Sequence, residues 1–276
     1  MDDPMADRPG VGISTAAFYP HYLTEDALNA IARLGFRVVE IFLQADAEYT
    51  PGFGAVLRRR RRELDLEVHS LHLYATYFDL WAPYPRMAQE VRDRFRRLLE
   101  VAAMVDARAL TWHGLRYGLE NPGLIDAFFE SAVWAGEQAR AVGLTLCLEN
   151  VSWCYLRTPE QVRAIRDADL PVAFTFDAFQ ACESDVEPAA LVQAMGDRLA
   201  TVHLSDYRAD GPRHLPPGEG DLDWPGLLRA LRAADYAGPL ILEPAHVEAL
   251  EVLVEAHRFI RRMWDRVDAG ADRTAA

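Results

Sequence analysis

The sequence predicts an α/β chain folded as one (β/α)8 barrel, and three observations carry that prediction. Eight short apolar runs recur in order along the 276 residues, each followed by a helix-like stretch. Such alternation means a parallel sheet covered by helices. Four ligand-type side chains close the last four runs: Glu149 in LTLCLEN, Asp177 in VAFTFD, His203 in LATVHLSD and Glu243 in GPLILEP. The C-terminal ends of barrel strands are where such folds place their active sites. Finally, eight units with no Gly-rich phosphate loop favour the closed barrel over an open doubly wound sheet.

The strands are expected at 11–18, 38–43, 67–74, 109–114, 144–150, 172–177, 199–206 and 238–244. Between them, LTEDALNAIARLG offers Thr24 as an N-cap and Gly35 as a stop signal. The stretch from Asp126 to Gly143 spaces its apolar residues by three and four. Thr158-Pro159-Glu160 supplies a cap, a proline for the first turn and an acid near the positive helix end, and Asp223-Trp224-Pro225 repeats the device. No linker divides the chain. The expected layout is a flexible N-terminus at 1–10, the barrel at 11–267 and a flexible tail at 268–276.

Strand parity tests the site independently, because residues two apart share a face. Cys147 and Thr145 lie behind Glu149, Thr175 behind Asp177, Thr201 behind His203, Thr111 behind His113 and Ser70 behind His72. The large apolar residues fall on the other face. A narrow lumen takes the first set and the helix layer the second, so every candidate points inward at one mouth. His69 has the opposite parity and reads as structural.

Composition excludes several functions. All 29 basic residues are arginine, so there is no side-chain amine to form a Schiff base. The net charge of −13 opposes phosphodiester backbones and argues against nucleic-acid binding. The basic run Arg58 to Arg62 reads as a solvated helix face. No apolar stretch is long enough for a membrane span, and MDDPMADRPG has no apolar signal region. A cytoplasmic protein with three free thiols, Cys147, Cys154 and Cys182, is the expectation.

Two carboxylates, an imidazole and a further carboxylate suit a divalent cation such as Mn, Mg, Co, Zn or Fe. Such an ion polarises a carbonyl or activates water. Glu149 and Glu243 could also flank a bound sugar as opposed acid and base. The bland alternative is that each carboxylate pairs with an arginine. His72 and His113, closing the third and fourth runs, extend the constellation as substrate contacts or as ligands of a second ion. In the loop after the seventh run, His214 and Gly218-Glu219-Gly220 suggest a tight turn over the mouth, with glycine permitting close approach to a ligand.

LEN, the strand end in FTFD, HLSD, the HLPPGEG loop and ILEP together resemble the xylose isomerase-like TIM-barrel superfamily over roughly residues 11 to 265. That superfamily includes sugar isomerases, ketose 3-epimerases, inosose-processing enzymes and endonuclease IV. The resemblance implies a divalent-metal isomerase or epimerase acting on a sugar, polyol or sugar phosphate. Glu149, Asp177, His203 and Glu243 match its single-metal site, and the two glutamates match the pair that exchanges a proton beside the carbonyl. His72, His113 and Glu149 match a second metal pocket of endonuclease IV, which leaves a binuclear hydrolase of small phosphoesters as the alternative. The third pocket of that enzyme is not matched: Gln180 and Pro212 stand at two of its ligand positions and only His214 remains. Gln180 also stands where the epimerases carry a substrate-contacting histidine. A small carbohydrate-type substrate and a homo-oligomer are further implications.

Overall fold

A computed structural model describes residues 9–116, 121–211, 213–245, 247 and 249–274, the last six by backbone alone. Eight parallel strands close into a barrel in chain order: β1 Val11–Ser14, β2 Val38–Leu43, β3 Glu67–Leu73, β4 Ala109–Trp112, β5 Thr145–Glu149, β6 Ala173–Asp177, β7 Leu199–Leu204 and β8 Leu240–Leu242. β1 pairs with β8 to complete the ring. The helices between them are α1 Thr24–Arg33, α2 Pro51–Glu63, α3 Pro85–Met104, α4 Pro122–Ala141, α5 Pro159–Asp167, α6 Ala178–Glu183, α7 Pro188–Met195, α8 Trp224–Ala233 and α9 Glu251–Thr274.

Parity sorts the core as the pattern predicts. Leu110, Trp112, Leu146, Leu148, Phe174, Phe176, Val202 and Leu204 all belong to the apolar cluster between barrel and helices. Fully burying each such side chain is worth about 1.5–3 kcal/mol. The lumen instead holds small polar groups. Thr111 and Thr175 hydroxyls meet at 3.1 Å, and Cys147 is fully buried among them.

The register shifts in two strand pairs, β2–β3 and β6–β7, and the first redirects a histidine. Between β2 and β3 the register steps from Val39↔Val68 to Glu40↔Ser70, leaving His69 as a bulge residue. His69, expected on the outer face, therefore reaches into the lumen, where its Nε2 lies 3.2 Å from the Thr201 hydroxyl on β7. Its expected direction does not hold.

Several boundaries also move. β1 ends at Ser14 rather than at Phe18, because the Ser14 hydroxyl accepts from the Ala16 N–H and caps a 3-10 turn over Thr15–Phe18. Thr24 is the first residue of α1, not its cap; its hydroxyl donates to Glu48 at 3.0 Å. α4 starts at Pro122, where the Asn121 side chain caps it. The Thr158 capping box and the Asp223 cap form as expected. Five helices, α2, α3, α5, α6 and α8, run into aspartates with positive φ: Asp65, Asp106, Asp169, Asp185 and Asp235. Aspartate tolerates the left-handed region better than most residues, so these stops lack the glycine a sequence reading looks for. Arg59 and Arg60 pair with Glu63, and Arg61 with Asp106, on the outside of the barrel.

The expected flexible N-terminus falls mostly on residues 1–8, outside the described residues. Gly10 already belongs to the sheet, its carbonyl accepting from the Leu240 N–H at 2.8 Å. The segment from Asp268, expected as a tail, is helical through Thr274; Ala275 and Ala276 lie outside the described residues.

Gly136 inside α4 sets two effects against each other. Glycine in a helix costs roughly 0.5–1 kcal/mol relative to alanine. A Cβ at this position, however, would stand 2.3 Å from the Pro171 carbonyl oxygen. Backbone cannot give way cheaply, so Gly136→Ala should destabilise by about 1–3 kcal/mol. Urea unfolding checks this; a stabilised variant would mean that α4 is not held against Pro171.

Candidate metal centre

Strand ends build the site. Glu149 and Asp177 are the last residues of β5 and β6, His203 is the penultimate residue of β7, and Glu243 follows β8 directly. Side-chain bonds continue the ladder where the backbone leaves it. The Asn150 amide donates to the Asp177 carbonyl and accepts from the Asp177 N–H, both at 2.8 Å. Asp177 also caps α6, with one carboxylate oxygen accepting from the Gln180 N–H at 2.6 Å. One ligand atom from each of Glu149, Asp177, His203 and Glu243 lies within 4.8 Å of the others.

His203 is the hub. Its Nδ1 donates to Glu149 and to Glu243, each at 2.9 Å, and its Nε2 donates to Glu40 at 3.0 Å. Burial opposes charging of the ring, but Glu243, Glu40 and Glu149 together hold it well above the ordinary histidine range. Burial likewise works against ionised Glu149, yet His113, His203 and His72 keep it well below the ordinary carboxylate range. His72 and His113 each place Nε2 3.0 Å from the same Glu149 oxygen. For His72 too, burial is outweighed by Glu149, and its affinity for a proton rises. Asp177 shifts the other way. Burial and the neighbouring Glu149 and Glu243 push it well above its usual value.

These directions test whether a divalent ion suits the site. Asp177 is the buried carboxylate that its surroundings drive toward neutrality, and a cation among the four would relieve that repulsion. His72 and His113 turn their Nε2 atoms onto Glu149, so the wall beside the cluster holds nitrogen donors within reach of an ion. A mixed carboxylate and imidazole set fits Mn, Mg, Co, Zn or Fe. The donors fit the group. A second trio, His72, His113 and Glu149, also has ligand atoms within 4.8 Å of one another.

The cluster opens into a cavity of about 200 Å³. His72, His113, Gln180 and His214 line it beside Glu149, Asp177 and Glu243, and Ala16, Phe42 and Val151 give it an apolar side. Gln180 is oriented by its side-chain oxygen, which accepts from the Ser152 N–H at 2.9 Å. His214 has φ of 51°, and its ring lies 3.8 Å from the Phe179 ring. Glu219 does not join them: it is exposed and absent from the cavity wall. A larger cavity of about 950 Å³ lies at the start of β7, lined by Leu199, Ala200, Tyr236 and Gly238 among others. It contains no imidazole and is remote from the ligand cluster.

The glycines around Glu219 serve a different purpose from the one expected. A Cβ on Gly220 would lie 2.3 Å from the Asp206 carboxylate, and Gly218 has φ of 96° against Phe259. Asp206 is fully buried. It accepts from the N–H groups of Tyr207, Gly218 and Leu222 and from the Trp224 indole, all within 3.1 Å. The loop is wound around this carboxylate, and close approach to Asp206 rather than to a ligand is what requires Gly220. His246 and Pro212 lie outside the described residues.

One residue escaped sequence reasoning. Glu40 in the middle of β2 is fully buried in the lumen. It accepts from Ser70 at 2.7 Å and Thr111 at 3.3 Å as well as from His203. Burial works against its charge, but His203, His72 and Ser70 bring it down to about 2. The available signal was a lone carboxylate inside the apolar run VVEIFL.

A closed parallel barrel that gathers acid and imidazole side chains at its C-terminal mouth defines a (β/α)8 protein with a candidate metal centre. The chain belongs to the xylose isomerase-like TIM barrel family, whose profile matches residues 28–263. It is 27% identical to a 3-dehydroshikimate dehydratase of Pseudomonas putida over 79% of this chain and 35% of that protein, so it spans about a third of the relative's length. Among solved structures, an L-ribulose 3-epimerase superposes with a TM-score of 0.82 at 18% identity, covering 98% of this chain and 99% of the other. A D-tagatose 3-epimerase-like protein gives 0.81 at 21% identity, covering 95% and 99%. At these identities the superpositions establish the fold.

If the four ligand atoms share one ion, Glu149→Ala and His203→Ala should each lose Mn2+ through gel filtration while the wild type retains it. Elemental analysis of the three proteins decides; unchanged metal content in both variants rejects the assignment.

Proposed function

We propose that this chain is a divalent-metal-dependent isomerase or epimerase acting on a sugar, polyol or sugar phosphate by proton transfer beside a carbonyl. The supporting observation is the convergence of Glu149, Asp177, His203 and Glu243 in a cavity of about 200 Å³. An ion held by these four would polarise a substrate carbonyl or hydroxyl and acidify the neighbouring C–H. Glu149 and Glu243 are the proton carriers: one takes the proton from carbon and the other returns one. His72, His113, Gln180 and His214 bind substrate hydroxyls, and Ala16, Phe42 and Val151 cover the C–H surface and keep water from the carbanion. Relatives named as epimerases and as dehydratases fit this reading, because both fates begin with loss of a proton beside a carbonyl. Among the described residues no helix is long and apolar enough to cross a membrane, and the three cysteines are free thiols, which fits a cytoplasmic setting.

A ketose turned over in D2O with Mn2+ should acquire deuterium at the epimerised carbon, read by NMR. Full turnover without label would eliminate proton exchange with solvent, and loss of one water by mass spectrometry would assign a dehydratase instead. Glu243→Gln should lower turnover by about a hundredfold or more, the usual scale of a general acid or base.

The trio His72, His113 and Glu149 favours a second reading, a binuclear hydrolase of small phosphoesters, in which these three would hold a second ion and the pair of ions would supply an activated water. Metal content of the active protein separates the two. One tightly held ion per chain is the expected result, and two would favour hydrolysis.

A further inference from the structure

Glu40 has no part in the proton transfer described, yet it is fully buried and in contact with a proposed metal ligand. The His203 ring uses its two nitrogens on opposite edges. Nδ1 faces Glu149 and Glu243 at 2.9 Å, while Nε2 faces Glu40 at 3.0 Å. Ser70 and Thr111 donate to the same Glu40 oxygen, at 2.7 and 3.3 Å. That oxygen is therefore pinned from β3 and β4 while it receives the imidazole of β7. Three strands thus hold one acceptor at the back of the ring.

We infer that Glu40 is a positioning residue: by accepting the Nε2–H of His203 it fixes the ring's tautomer and plane so that Nδ1 is presented to the metal. This rests on the metal reading of Glu149, Asp177, His203 and Glu243. As a ligand, His203 would have given up its Nδ1 proton to solvent, while Nε2 would keep its own proton and donate it to Glu40. A carboxylate behind a ligating imidazole also raises the donor strength of the ring, and losing such a partner typically costs about 10–100-fold in metal affinity. The remaining Glu40 oxygen is buried and without a hydrogen-bond partner. The chain thus buries a carboxyl group whose partners are His203 and two hydroxyls and whose second oxygen is unsatisfied, an arrangement costly to keep for packing alone.

The test is calorimetric titration of the metal-stripped full chain with Mn2+, with Co2+ absorption as a second readout of ligand geometry. Glu40→Ala should bind Mn2+ about 10–100-fold more weakly and show an altered Co2+ spectrum. Glu40→Gln, whose carbonyl can still accept the Nε2–H, should fall between Glu40→Ala and wild type; it also keeps the test alive if the alanine variant fails to fold. Thr175→Val, a change to a lumen hydroxyl that meets Thr111 but not Glu40, should keep wild-type affinity. Binding within twofold of wild type in both Glu40 variants overturns the inference alone. An equal loss in Thr175→Val also overturns it, by marking general disruption of the lumen. Two ions bound per wild-type chain and one per Glu40→Ala chain would make Glu40 a ligand instead. Failure of the wild type to bind either ion would overturn the metal reading, and this inference with it.

Discussion

One imidazole shared among two buried carboxylates and a third, partly exposed one is the constraint on which the rest of the structure turns. His203 sits fully buried within 3.0 Å of Glu40, Glu149 and Glu243. Opposite charges about 3 Å apart attract by several kcal/mol at an effective dielectric of about 20, but each ion taken out of water costs a comparable amount. Such a group is stable only when complete, since removing one partner leaves another charged and unpaired. This accounts for the character of the lumen. Barrels usually fill their interior with branched apolar side chains, whereas here Ser70, Thr111, Thr175 and Thr201 supply hydroxyls around the charged group.

The balance is deliberately incomplete on one side. His113, His203 and His72 stabilise Glu149 as an anion, while Asp177 is driven toward its neutral form by burial and by Glu149 and Glu243. The cluster therefore has the donors for a cation and an electrostatic reason to take one. The fold sets these groups at the right depth by several devices. Asn150 stitches β5 to β6 beyond their ladder, and α6 starts on Asp177 itself. The β7–α8 loop is wound on Asp206, and it carries His214 to the cavity wall.

Membership of the xylose isomerase-like family fixes the frame but not the reaction. Superposable proteins carry epimerase names, while the sequence relative described above is a dehydratase. The cavity wall is held by contacts within the chain. Gln180 is bonded to the Ser152 backbone and His214 packs on Phe179, so the polar surface that would meet a substrate is oriented by the protein's own contacts.

Much of this was legible in one dimension. Strand parity and the placement of acids at run ends were enough to identify the barrel and to select Glu149, Asp177, His203 and Glu243, because period-two alternation survives in the sequence as a pattern of residue sizes. Capping signals such as Thr158-Pro159 and Asp223 were local and therefore readable. The bulge at His69 was not, because a register shift belongs to a pair of strands and neither strand encodes it alone. The same holds for Glu40, which nothing local to β2 marks as a site residue and which meets His203, 163 residues away, only through closure of the barrel. Glu219 and the glycines beside it illustrate the converse: proximity to the site motif in sequence suggested a ligand contact, and the tertiary structure turned the loop around Asp206 instead. Sequence determined which face the regularly alternating side chains take, His69 at its bulge excepted; only the closed barrel decided which faces meet, because contacts across a lumen depend on shear and register summed over all eight strands.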